Sequence, residues 1–86
     1  MPRISEFYGI AIYLYYRDHA PPHFHALYGD FDAEFSVETG ELLRGNFPRR
    51  AAGLVKEWAT RYKVELTNDW ELARAEKPLK DIPPLD

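Results

Sequence analysis

The spacing of apolar residues changes once along this chain, and that change decides the class of fold. In residues 7–38 the side-chain character repeats with a period of two, as it does on the two faces of a strand, which predicts β-strands. After Pro48 the apolar residues recur with a helical period of 3.6. With 86 residues, the chain is long enough for one domain with one modest core. The order indicates an α+β fold in which an antiparallel sheet is followed by helices.

The first half of the chain predicts three to four antiparallel strands. One strand covers residues 7–16 and has apolar side chains on both faces. The paired prolines that follow form a loop, because proline donates no hydrogen bond to a strand ladder. Two further strands cover residues 23–28 and 31–37, and a short one covers residues 41–43.

A two-residue turn at Gly29 predicts a hairpin between the strands on either side of it. In this register the numbers of facing residues sum to 59. His25 then opposes Glu34, and His23 opposes Ser36. We expect these polar pairs on the opposite face of the hairpin from its apolar residues.

Two helices are expected to pack on one face of the sheet, giving the order β-β-β-β-α-α. The second covers roughly residues 64–76, unless a capping box at Asn68 and Glu71 starts a shorter helix there. We expect residues 1–77 to form the single α+β domain and residues 78–86, with three of the seven prolines, to form a C-terminal arm. The first helix carries one apolar stripe, made of Ala51, Leu54, Val55, Trp58, Ala59 and Tyr62.

Composition excludes several classes of protein. The chain has no cysteine, which excludes a disulfide scaffold, thiolate zinc fingers and thiol catalysis. A net charge of −3 argues against a generally basic nucleic-acid binder. The N-terminus lacks the pattern of a signal peptide, and the longest apolar run, residues 7–16, is too short for a membrane helix. We therefore expect a cytoplasmic protein with no membrane partner.

The three histidines, His19, His23 and His25, lie within seven residues of one another. On a strand, His23 and His25 project to the same face about 6–7 Å apart. Two imidazoles and a carboxylate can form a facial triad for a transition metal. Glu34 is the natural third ligand by hairpin register, and His19 or Asp18 from the loop is the alternative. The competing interpretation is an ordinary polar sheet face with Glu34 as a cross-strand partner.

His25 and Glu34 are also the candidate catalytic residues. An imidazole base oriented by a carboxylate is suited to phosphodiester cleavage. With a metal, the cofactor would be a divalent transition ion such as zinc, nickel or manganese. The corresponding function is a metal-dependent or histidine-based nuclease with a His-x-His/Glu site.

Charge is distributed unevenly along the chain. Residues 1–43 carry a net charge of −5, whereas residues 44–63 hold six basic and one acidic side chain. This predicts a basic helix face that contacts nucleic-acid phosphates or an acidic partner, or that is simply solvated. The candidate binding residues are Arg44, Arg49, Arg50, Lys56, Arg61 and Lys63.

Several segments together resemble a known family of small bacterial proteins. They include Met1-Pro2-Arg3-Ile4-Ser5-Glu6, Asp18-His19-Ala20-Pro21-Pro22-His23-Phe24-His25, Pro48-Arg49-Arg50-Ala51 and Asn68-Asp69-Trp70-Glu71. Across nearly its whole length the chain resembles the family called domain of unknown function 4160. The resemblance implies a compact bacterial protein of a kind often discussed as a toxin–antitoxin component. It implies no activity and no site residue, but the family pattern includes the two-histidine strand.

The function predicted first is a small interaction module, one component of a toxin–antitoxin-like pair. It would act through a protein partner, or as a homodimer through a sheet edge. The alternatives are the nuclease and a nucleic-acid-binding regulator that uses the basic helix. Whether the protein is an enzyme stays open.

Overall fold

The computed structural model describes residues 2–86. Its five strands pair antiparallel in sequence order, and two helices follow. This confirms the predicted α+β fold and corrects the number of strands from three or four to five. The elements are β1 (Arg3–Phe7), β2 (Ile10–Tyr13), β3 (His23–Tyr28), β4 (Phe31–Ser36), β5 (Leu42–Asn46), α1 (Arg49–Arg61) and α2 (Lys63–Arg74).

The extra strand arises because residues 7–16 do not form one strand, so that prediction was wrong. The chain turns at Tyr8 and Gly9, whose φ angles of 51° and 79° suit a two-residue type I′ hairpin turn. Phe7 then pairs with Ile10 across the turn. In one continuous strand, Phe7 and Ile10 would lie on opposite faces of the sheet, but the turn puts them on the same face. Because apolar residues occupy both sets of alternating positions in this segment, the hydrophobic pattern does not show this turn.

The hairpin between β3 and β4 has the predicted register. His25 lies opposite Glu34, and His23 lies opposite Ser36. The neighbouring pair of Phe24 and Phe35 is buried, with ring centroids 5.7 Å apart. The register therefore places the histidines and the core phenylalanines on alternate positions of one strand.

Strand β5 begins at Leu42 and ends at Asn46, so the prediction of a strand over residues 41–43 was too short. Its Gly45 has a φ of 95° and lies against β4. A Cβ at this position would overlap the carbonyl oxygen of Asp32. Glycine here permits a close approach of two backbones rather than ending the strand.

The helices cover the core face of the sheet. The indole of Trp58 on α1 contacts Phe24 and Phe7, with centroids 5.7 and 5.3 Å away. The predicted stripe on α1 is confirmed, since its central residues are buried. Only Tyr62 separates α1 from α2. Since α2 continues without a break through Asn68, the longer of the two predicted second helices is the one that forms. No helix in residues 2–86 combines the length and apolarity that crossing a membrane needs.

Residues 78–86 lie along the domain and tie its elements together. The backbone N–H of Ile82 donates to the carbonyl of Ile4 on β1, with a nitrogen–oxygen distance of 2.7 Å. The indole N–H of Trp58 donates to the carbonyl of Pro83 at 2.9 Å. Because Ile82 and Leu85 are buried, the arm completes the core and covers the outer edge of β1.

Candidate metal centre

The loop between β2 and β3 brings Asp18 to the first residues of β3. Asp18 Oδ2 lies 2.9 Å from His23 Nε2 and 3.2 Å from His25 Nε2. One ligand atom from each of these three residues lies within 4.8 Å of the other two. The structure thus gathers two imidazoles and one carboxylate at a single point.

His23 presents an unpartnered nitrogen to this point. Its side chain is buried, with 2% of the residue surface exposed, and its Nδ1 lies 2.8 Å from the carbonyl oxygen of Pro21. A carbonyl only accepts, so Nδ1 donates its hydrogen there and Nε2 is the ring nitrogen that faces Asp18 and His25. Within residues 2–86, Nε2 has no hydrogen-bond partner, because its approach to Asp18 lacks the required geometry. Buried polar atoms are seldom left in this state.

His25 completes the cluster from two residues along the same strand. Its Nε2 donates to Asp18 Oδ2 at 3.2 Å. The ring packs 4.1 Å from the ring of Tyr15, whose pKa is raised by partial burial and by the neighbouring carboxylate of Asp32. On the other side of the cluster, Trp70 of α2 lies 5.4 Å from the ring of His23. Aromatic packing therefore restricts the orientation of both imidazoles.

The electrostatics of the cluster favour an ionised Asp18. Burial acts to raise the pKa of its carboxyl group. That effect is outweighed by the hydrogen bond from His25, the charge of His23 and the backbone N–H of His19, so the pKa is lowered below its ordinary value. A carboxylate that stays ionised at neutral pH is ready to ligate a cation.

The distances fit a metal ion. Zinc bonds to nitrogen and oxygen at about 2.0–2.1 Å, which puts neighbouring ligand atoms about 2.8–3.0 Å apart in octahedral geometry and about 3.3–3.4 Å apart in tetrahedral geometry. The two Asp18 distances, 2.9 and 3.2 Å, fall within the span of these values. Donation from the distal ring nitrogen of a histidine to a backbone carbonyl, as His23 does to Pro21, is typical of metal ligands.

The remaining predicted ligands lie at the margin of the cluster. Glu34 Oε1 is 3.8 Å from His23 Nε2, farther than Asp18. The His19 side chain is 80% exposed, and its Nδ1 lies 3.3 Å from the other oxygen of Asp18, Oδ1. The sequence named Asp18 only as an alternative to Glu34, since the register of a hairpin says nothing about where a preceding loop folds back. Nothing in the sequence indicated the contact between Trp70 and His23.

Comparison with known proteins identifies the family of the chain. The family model described as Domain of unknown function (DUF4160) matches residues 9–71. The chain belongs to this family. The matched segment of this DUF4160 protein includes the whole cluster, from Asp18 to Glu34. Neither the curated proteins nor the solved structures contain a significant match.

The basic residues of this DUF4160 protein do not form one free patch. Lys56 is paired with Glu41, and Arg61 is paired with Asp86. These pairs reduce the positive charge that the sequence predicted for the helix face. Four of the predicted binding residues have no ion-pair partner among residues 2–86, namely Arg44, Arg49, Arg50 and Lys63.

Proposed function

We propose that this DUF4160 protein binds a divalent transition metal through Asp18, His23 and His25. The observation that carries the proposal is the buried Nε2 of His23, which has no hydrogen-bond partner and lies beside two further ligand atoms. Leaving such a group unsatisfied costs about 1–3 kcal/mol, and a bond to a metal would offset that cost.

The number of ligands indicates the kind of centre. Structural zinc sites have four protein ligands, whereas catalytic sites keep a position open for water or substrate. Two histidines and one carboxylate leave such positions open. The hydrogen that His25 donates to Asp18 from Nε2 would move to the other ring nitrogen, so that Nε2 could ligate the ion. We therefore propose a reactive centre.

Calorimetric titration of chelator-treated, untagged protein with zinc, nickel and manganese tests the proposal. We expect one ion per chain and an affinity at least about 100-fold lower in Asp18→Asn, His23→Gln and His25→Gln, because each variant removes a ligand. Asp30→Asn is the matched control, since that carboxylate is exposed and lies in the turn between β3 and β4, outside the cluster. Circular dichroism checks that each variant folds. Wild-type protein that binds none of the three metals, or Asp18→Asn protein that binds as wild type does, would refute the proposal.

The interaction module stays a second prediction. It is supported by β5, an outer strand whose five residues are all exposed, including Leu42 and Leu43. Unpaired edge strands attract other strands. However, a bulge opposite Glu34 and Phe35 interrupts the regular ladder, and bulges protect edges from pairing. We therefore favour the metal centre, where the converging atoms point to one kind of ligand.

A further inference from the structure

We propose that Glu34 is the base of a metal-assisted hydrolysis at this centre and that the substrate is a phosphodiester held by Arg44. The inference rests on the proposed metal site and assigns its reaction. The first observation is a row of side chains on three neighbouring strands, which begins at the cluster on β3 and ends on β5. His25 lies opposite Glu34, and Glu34 lies opposite Arg44 on β5. Facing residues of antiparallel strands share one face, so these three side chains follow one another on the same surface.

Glu34 lies where a base is needed and slightly too far away for a ligand. Its Oε1 is 3.8 Å from His23 Nε2, whereas Asp18 Oδ2 is 2.9 Å from the same atom. A carboxylate outside the ligand shell can accept a proton from a water molecule that occupies an open metal position. The Glu34 side chain is 24% exposed, so solvent and substrate can reach it.

A cleft between β4 and β5 has Glu34 in its lining. It holds about 180 Å³ and is lined by Glu34, Arg44, Asp32 and the backbone neighbours Ala33 and Gly45. Arg44 is exposed and has no ion-pair partner among residues 2–86. A free guanidinium binds phosphate through paired hydrogen bonds, and this favours an anionic phosphodiester over a neutral ester.

The reaction balances without an oxidant or a reductant. A water molecule on the divalent metal gives one proton to the Glu34 carboxylate, and its oxygen forms a bond to phosphorus. The bond from phosphorus to the leaving oxygen breaks, and that oxygen takes the proton back from Glu34. The products are a phosphomonoester and an alcohol. Arg44 binds the phosphoryl oxygens, which carry negative charge in the bound substrate as well as during the transfer.

The test uses the full chain loaded with zinc or manganese, and bis(p-nitrophenyl) phosphate as the probe. We expect release of p-nitrophenolate that depends on the metal. In Glu34→Gln, kcat should fall about 100-fold or more while metal affinity stays within a few-fold of wild type. In Arg44→Ala, KM should rise more than kcat falls, and hydrolysis of the neutral ester p-nitrophenyl acetate should be unchanged. Glu38→Gln, which removes an exposed carboxylate from the turn after β4, is the matched control.

Each outcome distinguishes the two proposals. If wild type binds no metal, both fail. If metal binds but neither metal form hydrolyses the probe, or if Glu34→Gln is as active as wild type, the hydrolytic role fails and the metal site stands. If Glu34→Gln loses metal affinity as Asp18→Asn does, Glu34 is a fourth ligand and the centre is closed. If Arg44→Ala slows both esters equally, the assignment of a phosphodiester substrate is wrong.

Discussion

His23 and Asp69 are two buried side chains with the same local arrangement. Each satisfies one polar atom with a backbone group, His23 Nδ1 with the carbonyl of Pro21 at 2.8 Å and Asp69 Oδ1 with the N–H of Lys80 at 3.0 Å. Each leaves its second polar atom without a hydrogen-bond partner in residues 2–86. Their burial is also alike, with 2% and 1% of the residue exposed.

The two sites differ in what surrounds the free atom. His23 Nε2 faces Asp18 and His25, whereas Asp69 belongs to no group of metal-binding side chains among residues 2–86. Asp69 instead fastens the start of the C-terminal arm to α2 through Lys80. We therefore propose a ligand site at His23, where other donor atoms converge on the unpartnered nitrogen, and none at Asp69. At Asp69, the unpartnered oxygen lowers stability, and this loss accompanies the hydrogen bond by which the other oxygen holds the backbone of Lys80.

The largest expected effect tests this difference directly. If the proposed site binds zinc, the free energy of unfolding should rise by about 2.7 kcal/mol at a free zinc concentration 100 times the dissociation constant, because an ion that binds only the folded chain stabilises it. Asp69→Asn should show the same gain, and Asp18→Asn should gain no more than about 0.4 kcal/mol, because its affinity is expected to be at least about 100-fold lower. Urea denaturation with and without zinc measures all three. If zinc stabilised Asp18→Asn as much as wild type, the proposed difference between the His23 and Asp69 sites would be wrong.

A second, smaller effect concerns the charge of Asp69. Burial raises the pKa of its carboxyl group above the ordinary value of 3.8, despite the opposing hydrogen bond from Lys80. The folded chain therefore binds this proton more tightly than the unfolded chain does. The resulting stability is fully present below pH 3.8 and is lost as the pH rises through the raised pKa.

Urea denaturation of metal-free wild type and Asp69→Asn between pH 3 and pH 8 checks this sign. The free energy of unfolding of wild type, relative to that of the variant, should decrease as the pH rises and then level off. A relative gain with rising pH would mean that the Asp69 carboxylate is stabilised as an ion. The two sites would then be more alike than the structure indicates.

The smallest expected effect concerns the contribution of α2 to zinc affinity at the proposed metal centre. Arg17, next to Asp18, pairs with Glu76 just beyond α2 through contacts of 2.9 and 3.0 Å. Both side chains are exposed, so Arg17→Ala should lower zinc affinity by only a few-fold. The exchange Arg17→Glu/Glu76→Arg should restore it, as calorimetric titration would show. A loss as large as that in Asp18→Asn would mean that the ion pair alone positions the loop.

Local patterns explain which features of the fold were predictable. The turn at Gly29 and the alternation around it depend on neighbouring residues, and the register of His25 and Glu34 followed from them. The stripe on α1 depends only on helical spacing. The turn at Tyr8 was missed because apolar side chains on both faces hid the change of direction.

The sequence was enough to predict that antiparallel strands precede two helices and that His23 and His25 share one strand face. The folded chain was needed to show that Asp18 lies beside them and that Glu34 Oε1 lies 3.8 Å from His23 Nε2. It was also needed to show that Lys56 and Arg61 are neutralised by acidic partners. The physical reason is that periodicity and turn chemistry act between near neighbours. The path of a loop and the pairing of charges depend on contacts such as that of Arg17 with Glu76, which are 59 residues apart in the chain.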